Sequence, residues 1–173
     1  LVREFSHCLA LLWRDRLGQV SLAVTTLFWG AGATLQFIVI KWAETSLHLD
    51  LSKSSWLQGA VALGVAVGAA GAARTVTLRR AMTVIPLGIV MGFIVLVMNF
   101  VQHVWIAVPL LVIIGILSGY FVVPMNALLQ HRGHILMGAG HSIAVQNFNE
   151  NLSILVMTGL YYLMVSIDLS VHW

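Results

Sequence analysis

A chain of 173 residues in which 60% are hydrophobic and only 9% charged, with a strongly positive mean hydropathy, is too apolar to be dissolved as an ordinary globular domain. Its formal net charge of +3 is scattered between apolar runs instead of being gathered into one basic patch, which argues against nucleic acid as a partner. The lone cysteine, Cys8, excludes an intrachain disulfide framework and a cysteine-based metal cluster.

The first sixteen residues, LVREFSHCLALLWRDR, put Val2, Phe5, Leu9, Leu12 and Trp13 on a helical stripe, with Arg3, His7 and Arg14 elsewhere around it. They predict an amphipathic cytoplasmic helix over 1–16 that lies on the membrane or links to an earlier domain. The alternative is that this segment is the inner end of the first span. Five apolar runs follow, at about 17–40, 55–73, 81–100, 106–129 and 138–165, each near the roughly 20 residues a bilayer-crossing helix needs. Nothing alternates like barrel strands, and in lipid the backbone must satisfy its own amides, so the expected fold is an all-α membrane protein with a transmembrane domain over 17–173.

The basic residues set the orientation. Arg3, Arg14, Arg16, Arg74, Arg79, Arg80 and Arg132 fall in one set of alternate breaks, and Lys41 and Lys53 in the other, seven against two. The positive-inside rule therefore places the start of the chain, ARTVTLRRA and QHRGH in the cytoplasm. Trp42, Trp56, Trp105 and Trp173 all fall at the opposite, outer ends, as an interfacial aromatic belt would. An odd number of spans leaves SIDLSVHW outside, and with no initiator Met or cleavable signal peptide the expectation is a cut chain.

Within the spans, Gly64 and Gly68 form a G-x-x-x-G pair that Ala72 extends by a turn, a face suited to close packing on another helix. Pro86, Pro109 and Pro124 lie in or near spans, where each can bend a helix. The polar run is SIAVQNFNENLSIL: Glu150 sits near the middle of the last span, where a charge is costly and usually faces protein or water. Gln146 lies one turn from Glu150, and Asn147 one turn from Asn151, so the four share a broad face that Asn149 does not. The face predicts either a polar cavity or a protonated structural carboxyl held by its amide neighbours. Gln36 in the first span faces the same cavity or a neighbouring helix. Asn126 and Gln130 line the cytoplasmic mouth or cap the helix end. His131, His134 and His141 lack the further ligands a zinc site needs, and no catalytic or cofactor-binding motif is present, so no metal, no cofactor and no enzyme activity are expected.

In order along the chain, SLAVTTLFWGAGATLQFIVIKW, GAVALGVAVGAAGAARTVTLRRAMTVIPLGI, GYFVVPMNALLQHRGH and GAGHSIAVQNFNENLSILVM resemble the carboxyl-terminal half of bacterial lysophospholipid transporters, members of the major facilitator superfamily. The resemblance runs from about Phe5 to near the end. It implies twelve spans in two halves, of which the five here correspond to spans seven to eleven, with an amino-terminal half missing. ARTVTLRRA takes the place of the superfamily's basic loop but lacks its acidic residue. The implied substrate is a lysophospholipid such as lysophosphatidylethanolamine, moved by alternating access across the bacterial inner membrane and passed to a cytoplasmic acyltransferase/acyl-carrier-protein synthetase. On this reading Glu150 pairs the ammonium, while Gln146, Asn147, Asn151, Gln36 and Asn126 offer hydrogen bonds. No mid-span Lys or Arg meets the phosphate. An exporter of other amphipathic compounds and a non-transporting membrane scaffold fit the span pattern equally.

Overall fold

The computed structural model describes residues 2–166, and these are helical almost throughout, with no strand among them. Helix α1 covers Val2–Arg14, α2 Arg16–Ser46, α3 Leu51–Thr75, α4 Ile85–Met98, α5 Val104–Met137 and α6 Ala139–Ser166. A 3-10 helix, Leu78–Val84, leads into α4. Four stretches are long and apolar enough to cross a membrane: Arg16–Ser46, Ser52–Thr75, Leu78–Met98 and Val104–Met137. The fifth expected span is the helix α6, which is not among these four stretches and carries the polar run Gln146 to Asn151. Trp173 and most of SIDLSVHW lie outside the described residues.

Pro86 occupies the first turn of α4, where its missing amide hydrogen costs no helical bond. Pro109 and Pro124 are inside α5, which is helical through both, so neither ends the helix as a proline in water often does. The break between α5 and α6 is made by Gly138, whose φ of +84° is left-handed.

Contacts divide the chain into two compact units. The first comprises residues up to Thr34 and those from Met125 onward. Its core is Cys8, Leu12, Leu22, Leu129 and Val145, flanked by Phe5, Leu9, Leu136 and Met137. Phe5, Leu9 and Leu12 of the expected α1 stripe are thus packed into this unit, and Phe5 stands edge-on to Phe148 of α6 at 5.0 Å between ring centres. Trp13, placed on the same stripe, is exposed. A salt bridge ties α5 to the start of α2: Arg132 donates through Nε (2.8 Å) and Nη2 to the two carboxylate oxygens of Asp15. Asp15 also accepts from the Gly18 amide (2.8 Å), capping the start of α2.

The second unit runs from Leu35 to Pro124, around Ala43, Leu47, Leu57, Met98, Val101, Ala107 and Leu111. Its closest packing joins α3 to α5. A Cβ added to Gly64 would stand 3.0 Å from the Gly115 Cα, and one added to Gly115 would stand 3.0 Å from the Gly64 Cα. Gly68 meets the Ile116 backbone and Gly119 the Val65 and Ala69 backbones, so the G-x-x-x-G face of α3 finds a second G-x-x-x-G on α5. Farther along, the Thr75 and Tyr120 hydroxyls are 2.6 Å apart.

Candidate functional site

The polar run of α6 begins within a turn of Gly138, and residues 142, 145 and 146 turn inward at helical spacing. Gln146 is 6% exposed. Its Nε2 donates to the Glu150 carboxylate at 2.8 Å, and to the Asn126 Oδ1 of α5 at a longer 3.4 Å. Glu150 and Asn126 are half-buried. Sequence spacing paired Gln146 with Glu150, and the folded chain adds Asn126, which had been set at the cytoplasmic mouth. Three amide or carboxylate groups therefore meet in the first unit.

The Gln146 Oε1 is buried and has no hydrogen-bond partner, which leaves an acceptor aimed at no donor. Two further hydroxyls of this unit, on Thr26 and Ser142, are in the same condition. Thr26 was invisible to spacing rules; its helix α2 meets α6 where Gly30 sits against Ser153.

Asn147 and Asn151 are exposed, and the Asn151 amide donates to the Asn147 carbonyl at 2.7 Å, so they form the outer edge of the face instead of joining the buried cluster. Asn149 turns back onto the Val145 carbonyl at 2.8 Å. Gln36 belongs to the second unit, where it is exposed and its carbonyl accepts from Gln58 Nε2 at 3.2 Å. Among the described residues no group of three or more His, Cys, Asp or Glu side chains is placed to hold a metal ion. Chemically, the cluster offers one carboxylate and two amide oxygens to a cationic or hydrogen-bond-donating group, and no base–nucleophile pair.

Fold and site define a multi-pass helical membrane protein with a recessed polar cluster. Over 99% of its length, 172 residues, the chain is 42% identical to proteins named lysophospholipid transporter LplT from Shigella boydii serotype 4 (strain Sb227), Escherichia coli O1:K1 / APEC and Escherichia coli O9:H4 (strain HS). It spans 43% of the length of each, less than half. Neither a protein-family model nor a solved structure matches it.

Proposed function

We propose that this chain is part of a lysophospholipid transporter of the bacterial inner membrane, contributing five helices of the carboxyl-terminal half of a major facilitator fold. The observation that carries the reading is the 42% identity sustained over 99% of the chain to proteins named for that activity. A single-chain phospholipid presents a polar headgroup and a long tail, so its carrier needs a few polar groups set among apolar helix faces. Glu150, Gln146 and Asn126 supply the first, and the apolar remainder of α2, α5 and α6 the second.

The headgroup of lysophosphatidylethanolamine carries a primary ammonium with three N–H donors. Glu150 takes its charge, and the Asn126 Oδ1 and the unpartnered Gln146 Oε1 accept the remaining bonds. Until substrate arrives, Gln146 holds the carboxylate in place, so the acceptor is oriented in advance. Asn147 and Asn151 form the exposed edge of this cluster. The phosphate is met by the amino-terminal half, which with α1 as the connecting helix completes a carrier that works by alternating access around a midplane site. The product would serve a cytoplasmic acyltransferase that restores the second chain.

The test is uptake by the full-length protein in proteoliposomes, measured for lysophosphatidylethanolamine and, separately, for amphipathic drug cations. Saturable uptake of the lysolipid that drug cations do not inhibit is the expected result. Transport of the cations without the lysolipid would make the protein an exporter, and transport of neither would leave it a scaffold.

A further inference from the structure

The second unit carries a groove that the headgroup site does not use. It has a volume of about 840 Å³ and lies between the first half of α3 and the start of α5, with Leu57, Val104 and Val108 among the residues lining it, and Ala60 and Leu63 farther along α3. Its lining is apolar apart from Lys53, which is exposed and has no ion-pair partner among the described residues. Trp56, 79% exposed, stands at the same end, and a smaller recess beside it is lined by Ser52.

Three features select the occupant. Lys53 and Leu63 are ten residues apart on α3, which is about 15 Å along a helix and half of the roughly 30 Å hydrocarbon thickness, the depth of a single leaflet. The one cation sits at the end where Trp56 marks the membrane–water boundary, so charge and apolar surface are arranged as the phosphate and chains of a membrane lipid are. Finally, no Asp or Glu lines the groove. An ammonium would find no counter-charge in that lining, whereas a headgroup of net negative charge meets Lys53 there, with Asp50 outside the lining at the cap of the same helix.

We propose that this groove is a binding site for an anionic diacyl glycerophospholipid of the outer leaflet, with its phosphate on Lys53 and an acyl chain along Leu57, Ala60 and Leu63. The site differs from the Glu150 cluster in charge sign and in the unit that holds it. A lipid held there fills the slot between α3 and α5 beside their glycine contact, and so supports the helix pair from the outer side.

Trp56 is a built-in reporter. A single-tryptophan form of the full-length protein that keeps only Trp56 is placed in phosphatidylcholine vesicles containing increasing fractions of brominated phosphatidylglycerol or brominated phosphatidylethanolamine. Half-maximal quenching should come at about five-fold lower mole fraction for phosphatidylglycerol. The substitution Lys53→Gln, at an exposed position that leaves packing untouched, should remove that preference while quenching itself persists. Equal quenching by both lipids in the unsubstituted form would make this ordinary lipid contact and overturn the proposal. No quenching by either would mean that another part of the protein covers the groove, and a preference that survives Lys53→Gln would refute the phosphate contact.

Discussion

Asp15 and Arg132 are 117 positions apart, yet a two-point contact joins them within the first unit. The Arg132 hydrogen bond, with help from the Gly18 amide, holds the Asp15 carboxyl below its ordinary value, outweighing the opposite pull of burial. A carboxyl whose folded-state pKa is depressed contributes stability above its unfolded pKa, about 3.9, and that stability fades as pH falls through the lower folded value. Asp15→Asn should therefore lower thermal stability by about 1 kcal/mol near neutral pH, a partly exposed pair being worth less than a buried one. The difference from the unsubstituted protein should be flat from pH 7 to 5 and shrink below about pH 4, as detergent-solubilised melting curves would show. Sequence marked Arg132 only as a topological charge, because no local spacing rule connects positions so distant. For the same reason spacing paired Gln146 with Glu150, one turn apart on one helix, but not Gln146 with Asn126 twenty positions away, which only the resemblance had grouped with them.

Helices were the readable elements, since each apolar run is long and the membrane leaves the backbone one economical way to satisfy its amides. Their ends were less so. The span expected from Ala81 begins three residues earlier, as the 3-10 segment Leu78–Val84 that leads into α4, and α5 extends eight residues past its expected end at Leu129 to Met137, carrying Arg132 to its ion pair. The glycine face of α3 was legible, and its partner on α5 was not, because GILSG looks like any small-residue stretch until Gly115 and Gly119 are seen opposite Gly64 and Gly68. That contact can be tested by size. Gly68→Val drives methyl groups into the Ile116 backbone and should destabilise by about 1–3 kcal/mol. Gly92→Ala, where an added Cβ meets nothing within 4 Å, should be neutral or slightly stabilising in the same melting assay.

For the whole molecule, seven basic residues against two predict which ends face the cytoplasm. In a Cys8-free background, a cysteine at Thr77 should react with an impermeant maleimide only from the cytoplasmic side, and one at Ser46 only from outside. The reverse pattern would invert the map and move the Lys53 groove to the inner leaflet. Within the proposed carrier, the headgroup assignment rests on the Glu150 cluster. Glu150→Gln keeps the size of the side chain and its capacity to hydrogen-bond to Gln146 but removes the charge, so helix packing should survive. The deciding measurement is uptake by this variant in the full-length protein of lysophosphatidylethanolamine beside lysophosphatidylglycerol, which has no ammonium. A lost charge-assisted bond is worth roughly 1.5–3 kcal/mol, so affinity for the first should fall about ten-fold or more while the second changes little. Wild-type uptake of both by a normally inserted variant would contradict the account, and equal loss of both would assign Glu150 to the conformational cycle instead of the headgroup.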